Sequence, residues 1–129
     1  MTRHLEIGRI GEDIACRYFE NKGFVVIGRN YRKSWGEIDI IVSKARVLHF
    51  VEVKSVSCEN VDTVSRETSF HRPEDNAHPA KLKRLARTVE TYLAEKGLTE
   101  GDWTFDVVTV HVDQNSKRAK VSMIDNVIL

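Results

Sequence analysis

The sequence has almost no net charge: 20 lysines and arginines against 19 acids leave +1. That excludes a generally basic surface built for tight, nonspecific nucleic-acid binding, although not a local basic face. Cysteine is scarce. Cys16 falls in a predicted helix and Cys58 in a polar loop, with no C-x-x-C or other metal spacing, so two reduced thiols are expected. No apolar run approaches a transmembrane helix. The N-terminal MTRHLEIGRIGED lacks the apolar core of a signal peptide and continues straight into a helical pattern. A cytoplasmic protein with no membrane association is expected. The five histidines are scattered. His71 and His78 read as surface residues of a loop, and His49 as a core or edge side chain.

What is present is a chain with 41% hydrophobic and 30% charged residues, the composition of a soluble globular domain. At 129 residues it reads as one domain, 1–129, long enough for a real core. Ile7, Ile10, Ile14 and Tyr18, with Ala15 and Phe19 beside them, predict a helix from about Leu5 to Asn21 that stops at Gly23. Strands are predicted over GFVVIGRNYR, over Glu37–Val42 and over Val47–Lys54, forming an antiparallel meander. The segment 56–79 is polar and aperiodic, and is expected to be a mobile or functional loop. Pro79 suits a helix start. Leu82, Leu85, Ala86, Val89 and Leu93 then form an apolar stripe ending near Gly97. Strands are predicted over Thr104–Val112 and Ala119–Ile124. The order α-β-β-β-α-β-β indicates an α/β sandwich around a mixed sheet.

Three charges sit where core is expected. Asp39 interrupts the second strand, and Glu52 and Lys54 interrupt the third. Alternation places Glu52 and Lys54 on one face with Leu48 and Phe50, and Asp39 on a face with Glu37 and Ile41. A hairpin would bring Asp39 close to Glu52. Two adjacent carboxylates repel unless a proton or a cation lies between them, and a hard divalent ion is the simplest cation. The bland alternatives are a solvated strand face, or an ion pair of Lys54 with Asp39.

The pattern D…E-x-K on consecutive strands, preceded by a helix carrying an acid, resembles the PD-(D/E)XK nuclease superfamily. Five further stretches sharpen the likeness. They are G-x-x-G-E-D-x-A at Gly8–Ala15, G-F-V-V at Gly23–Val26, N-Y-R at Asn30–Arg32, G-E-I-D-I-I at Gly36–Ile41 and F-V-E-V-K at Phe50–Lys54. With K-L-K-R-L at Lys81–Leu85 and F-D-V-V at Phe105–Val108, they resemble the bacterial YraN-type endonuclease-like family, related to archaeal Holliday-junction resolvases. The likeness covers nearly the whole chain. Thr104 departs from it, since a basic residue often precedes F-D-V in the family.

The resemblance implies a restriction-endonuclease-like sandwich with helices on both faces of a mixed sheet. It implies a metal-dependent nuclease acting on nucleic acid, chiefly DNA and including branched or unusual structures. The alternative is a non-cleaving nucleic-acid-binding or assembly module on the same fold. By the same likeness, Asp39, Glu52 and the Val53 backbone carbonyl hold Mg²⁺ or Mn²⁺, with Glu12 acting directly or through water, and Lys54 is the catalytic lysine. Small Gly8 and Ala15 would let the first helix approach the sheet and aim Glu12 at the ion. By analogy with resolvases, a homodimer is implied.

Two basic groups suit phosphate contacts: Lys81, Lys83, Arg84 and Arg87 on the second helix, and Arg29, Arg32 and Lys33 before the G-E-I-D strand. Lys81 matches a lysine of the family pattern. A solvated helix face is the simpler reading of the first group. Trp35, beside the site strand, suits packing better than base stacking. A structural partner is expected for Asp106.

Overall fold

The computed structural model describes residues 3–63 and 79–129. Helix α1 spans Arg3–Asn21. Its sheet-facing line runs through Ile7, Ala15 and Phe19, all buried. Gly23 ends it at a φ of 87°. The Gly23 N–H donates to the Glu20 carbonyl and the Phe24 N–H to the Phe19 carbonyl, both at 3.0 Å. This closure of the last carbonyls needs a left-handed residue, which glycine supplies without a Cβ clash.

Strands β1 (Val25–Lys33), β2 (Gly36–Lys44) and β3 (Val47–Ser57) follow as the expected meander. A 3-10 turn at Val61–Thr63, helix α2 (Pro79–Lys96), β4 (Asp102–Asp113) and β5 (Arg118–Ile124) complete the described elements. The sheet order is β1-β2-β3-β4-β5. The β3–β4 pair is parallel and the other pairs are antiparallel, so the sheet is mixed. A parallel pair needs a crossover, and α2 lies within it.

The two helices cover opposite faces. Ala15, Cys16 and Phe19 of α1 pack with Ile40, Val42, Val51, Val108 and Val110. Leu85, Val89, Tyr92 and Leu93 of α2 pack with Ile38, Ile41, Phe50, Phe105 and Val107. Both cysteines are free thiols. No helix among the described residues is long and apolar enough to cross a membrane.

The structure corrects the start of the expected 56–79 loop, since Val56 and Ser57 belong to β3, and Pro79 opens α2 as its place in the sequence suggests. The 3-10 turn was not anticipated. Arg118 ties it to β5, with two nitrogens on the Asp62 carboxylate at 2.7 and 2.8 Å. Residues 64–78, with His71 and His78, lie outside the described residues.

Gly8 does not bring α1 onto the sheet, since a Cβ there would meet nothing within 4 Å. Gly11 does. A Cβ at Gly11 would lie 1.8 Å from Ser55 Oγ and 2.8 Å from Ser55 Cβ. Rotating the hydroxyl away would therefore not relieve the clash. Gly11 stands between Ile7 and Ala15 at i, i+4 spacing; Gly8 shares that face by helical phase, at i, i+7 with Ala15, but has nothing within reach opposite it.

Candidate functional site

The β2–β3 hairpin fixes the register of the acids. Its two-residue loop, Ala45 and Arg46, has φ of 52° and 65°, the left-handed pair of a tight hairpin turn. Ile40 thereby pairs with Val51. Asp39 and Glu52 would be the next pair, but the ladder stops before them. Asp39 Oδ2 instead accepts the Val53 N–H at 2.8 Å. A side chain has replaced a rung where the two strands part.

Strict alternation also fails at Asp39. Ile38 packs on the α2 side and Ile40 on the α1 side, although two residues apart on one strand should share a face. Their β1 partners switch with them. Arg29, opposite Ile40, reaches Asp13 and Glu12 of α1, whereas Tyr31, opposite Ile38, packs edge-on against Tyr92 of α2. Between them stands Asn30 at a φ of 53°. The left-handed residue turns the strand over, and Asp39 sits at the crossover. Acids from both sides of the sheet can therefore act on it.

They do. Burial pushes the Asp39 carboxyl up from its ordinary value of 3.8 to about 7, the Val53 N–H pulls the other way, and the charges of Glu12, Glu37 and Glu52 push it further up. Asp39, Glu37 and Glu52 line one cavity of about 250 Å³ with Trp35, Lys81 and Arg84. Glu37 is the acid whose effect the sequence reading missed, although G-E-I-D sets it two residues before Asp39.

The available donors suit a hard divalent ion. A residue's N–H and C=O in an antiparallel strand point to the same neighbour, so the Val53 carbonyl faces the same gap as the N–H that meets Asp39. Among the described residues no three His, Cys, Asp or Glu side chains form a ready cage. Magnesium does not require one, since it is commonly held by one or two carboxylates with waters and substrate phosphate completing the shell. Asp39, Glu52 and the Val53 carbonyl form an all-oxygen set of that kind.

The expected lysine and basic groups are placed unevenly. Lys54 follows Glu52 on the same strand face, half-buried, with no hydrogen bond or ion pair among the described residues, and does not line the acid cavity. Lys81 does, with Nζ 2.7 Å from Glu52 Oε1. In this structure its charge is engaged by that acid. Arg87 lies over the Trp35 ring, 3.9 Å from the centroid, which makes Trp35 a packing residue as expected. Lys83 and Arg84 are exposed, and Arg84 lines the cavity. In the second group each cation has an acid: Arg29 has Asp13 at 2.9 Å, Arg32 has Glu37 at 3.2 Å and Lys33 has Glu95 at 2.8 Å. The free positive field is therefore on α2 rather than on β1.

Asp106 has the structural partners expected of it. Fully buried, it holds His49 Nδ1 at 2.8 Å, the Thr104 hydroxyl at 3.0 Å and the Asn126 N–H at 3.0 Å. Thr104, where a basic residue was looked for, thus serves the buried carboxylate.

Residues 11–110 match the family described as "Uncharacterised protein family UPF0102". The chain belongs to the UPF0102 family. A UPF0102 protein of Alkaliphilus metalliredigens is 38% identical over 120 residues, covering 93% of this chain and 95% of the relative. One of Dictyoglomus turgidum is 35% identical over 105 residues, 81% of each chain. One of Helicobacter pylori is 34% identical over 126 residues, covering 98% and 94%. The YraN-type likeness of the motifs thus holds at the level of the UPF0102 family. The family description names no reaction, so a function must be argued from the site.

Proposed function

We propose that the chain is a cytoplasmic, metal-dependent nuclease on a PD-(D/E)XK-type fold, hydrolysing phosphodiester bonds of nucleic acid, chiefly DNA. The observation that carries this reading is Asp39, set where β2 and β3 part and crowded by Glu12, Glu37 and Glu52, with its carboxyl pushed to about 7. A structural carboxylate placed there raises the energy of the fold. A site that takes up a divalent ion gives that placement a use.

Asp39, Glu52 and the Val53 carbonyl would hold Mg²⁺ or Mn²⁺. Bound there, the ion supplies Lewis-acid polarisation of a phosphate and a more acidic water. Glu12 adds negative charge that favours the ion. Lys54, with no acid partner among the described residues, would hold the attacking water and balance charge building on the phosphate. Arg84 and Lys83 draw the flanking phosphates in from solvent.

A second reading, a non-cleaving nucleic-acid-binding or assembly module, is favoured by one observation: the Lys81–Glu52 ion pair closes part of the acid cluster internally. Single-turnover cleavage in Mn²⁺ separates the two. Lys54→Ala should lower the rate about 100-fold, within the range for lost general acid–base help, while Mn²⁺ affinity stays at the parent value. A variant that cuts at the parent rate would assign Lys54 to structure.

A further inference from the structure

The three acids that crowd Asp39 each carry a cation of their own. Glu12 has Arg29 at 3.6 Å, Glu37 has Arg32 at 3.2 Å and Glu52 has Lys81 at 2.7 Å. Asp39 has an amide N–H and no cation among the described residues. The three pairs are not equivalent. Arg29 is shared with Asp13, and Arg32 has a side chain 69% exposed, where an ion pair is weak. Glu52 and Lys81 are the least exposed pair, at 17% and 32%, and both line the acid cavity.

We propose that Lys81 is the resident counterion of the acid cavity and that a divalent ion enters by exchange with it. This rests on the metal-site reading above. A divalent ion held on Glu52 and an ammonium 2.7 Å from its Oε1 are like charges on one carboxylate, and their repulsion favours displacement of one by the other. The exchange has a direction. Lys81 lies in the first turn of α2, and its neighbour on that cavity wall is Arg84. An ammonium released from Glu52 stays beside Arg84, in a cavity that has just gained positive charge. Both cations then face whatever anion arrives, and a phosphate oxygen is what the ion's open positions would take. Lys81 is thus a positioning residue for Glu52 before the ion binds, and a phosphate contact afterwards.

The exchange is tested by Mn²⁺ calorimetry on the full chain and on Lys81→Met, Lys81→Gln and Lys81→Arg, each checked for parent-like thermal unfolding. Removing the competing ammonium leaves Glu52 without a counter-charge. Lys81→Met and Lys81→Gln should therefore bind Mn²⁺ about tenfold more tightly, and Lys81→Arg should stay near the parent. A purely structural lysine would leave the affinity unchanged or weaken it in the neutral variants, and that result overturns the exchange while the metal site stands. Absence of Mn²⁺ binding in the parent and in every variant would overturn the metal site and the exchange together.

Discussion

Asp39→Asn should make the metal-free protein more stable at pH 8, by about 2–4 kcal/mol. The folded protein holds the Asp39 carboxyl at about 7, against 3.8 ordinarily. Each unit of such a shift corresponds to about 1.4 kcal/mol, so roughly three units set the upper figure. Between pH 4 and 7 the folded state keeps a proton that the unfolded chain has lost. Parent stability should therefore fall as pH rises through that window and level off above it. Asparagine keeps an oxygen for the Val53 N–H while removing the charge that Glu12, Glu37 and Glu52 repel. Denaturant unfolding in EDTA at pH 5 and pH 8 measures this. The variant should lose the pH slope attributed to Asp39. A variant less stable than the parent at pH 8 would mean that the carboxylate is there for the fold.

The second large effect is on ion binding. Asp39→Ala and Glu52→Ala should each abolish the heat of Mn²⁺ binding, because two side-chain oxygens and one carbonyl leave no spare ligand. In the parent, the ion must displace the proton held on Asp39. Affinity should then fall about tenfold per pH unit below about pH 7, with proton release visible as a buffer-dependent heat. Unchanged affinity in both variants would place any bound ion elsewhere.

The architecture was legible because each element carries a local signal. Ile7, Ala15 and Phe19 recur at helical spacing, Gly23 and Gly97 stop the helices in left-handed turns, and β2 and β3 read as apolar strands interrupted by charge. Three residues of the site were legible for the same reason, since Asp39, Glu52 and Lys54 break apolar runs. The remainder depended on tertiary geometry. The face switch at Asp39 comes from Asn30 on the neighbouring strand, whose left-handed φ no pattern in β2 announces. The pairing of Lys81 with Glu52 joins residues that are 29 apart and sit on different elements. Reading α2 alone makes Lys81 one of four similar cations. Gly8 and Gly11 both face the sheet by helical phase, and only the packing against Ser55 tells them apart.

The central claim is that this acid cluster cuts nucleic acid with a divalent ion. One measurement bears on it most directly: cleavage of end-labelled single-stranded, duplex, flap and four-way DNA by the parent and by Asp39→Ala, in Mg²⁺, in Mn²⁺ and in EDTA. Strand scission of at least one substrate by the parent, dependent on the ion and lost in Asp39→Ala, is the predicted result. Intact substrates throughout, from a parent protein that calorimetry shows to have bound Mn²⁺, would contradict the claim and leave a nuclease-like fold that binds without cutting.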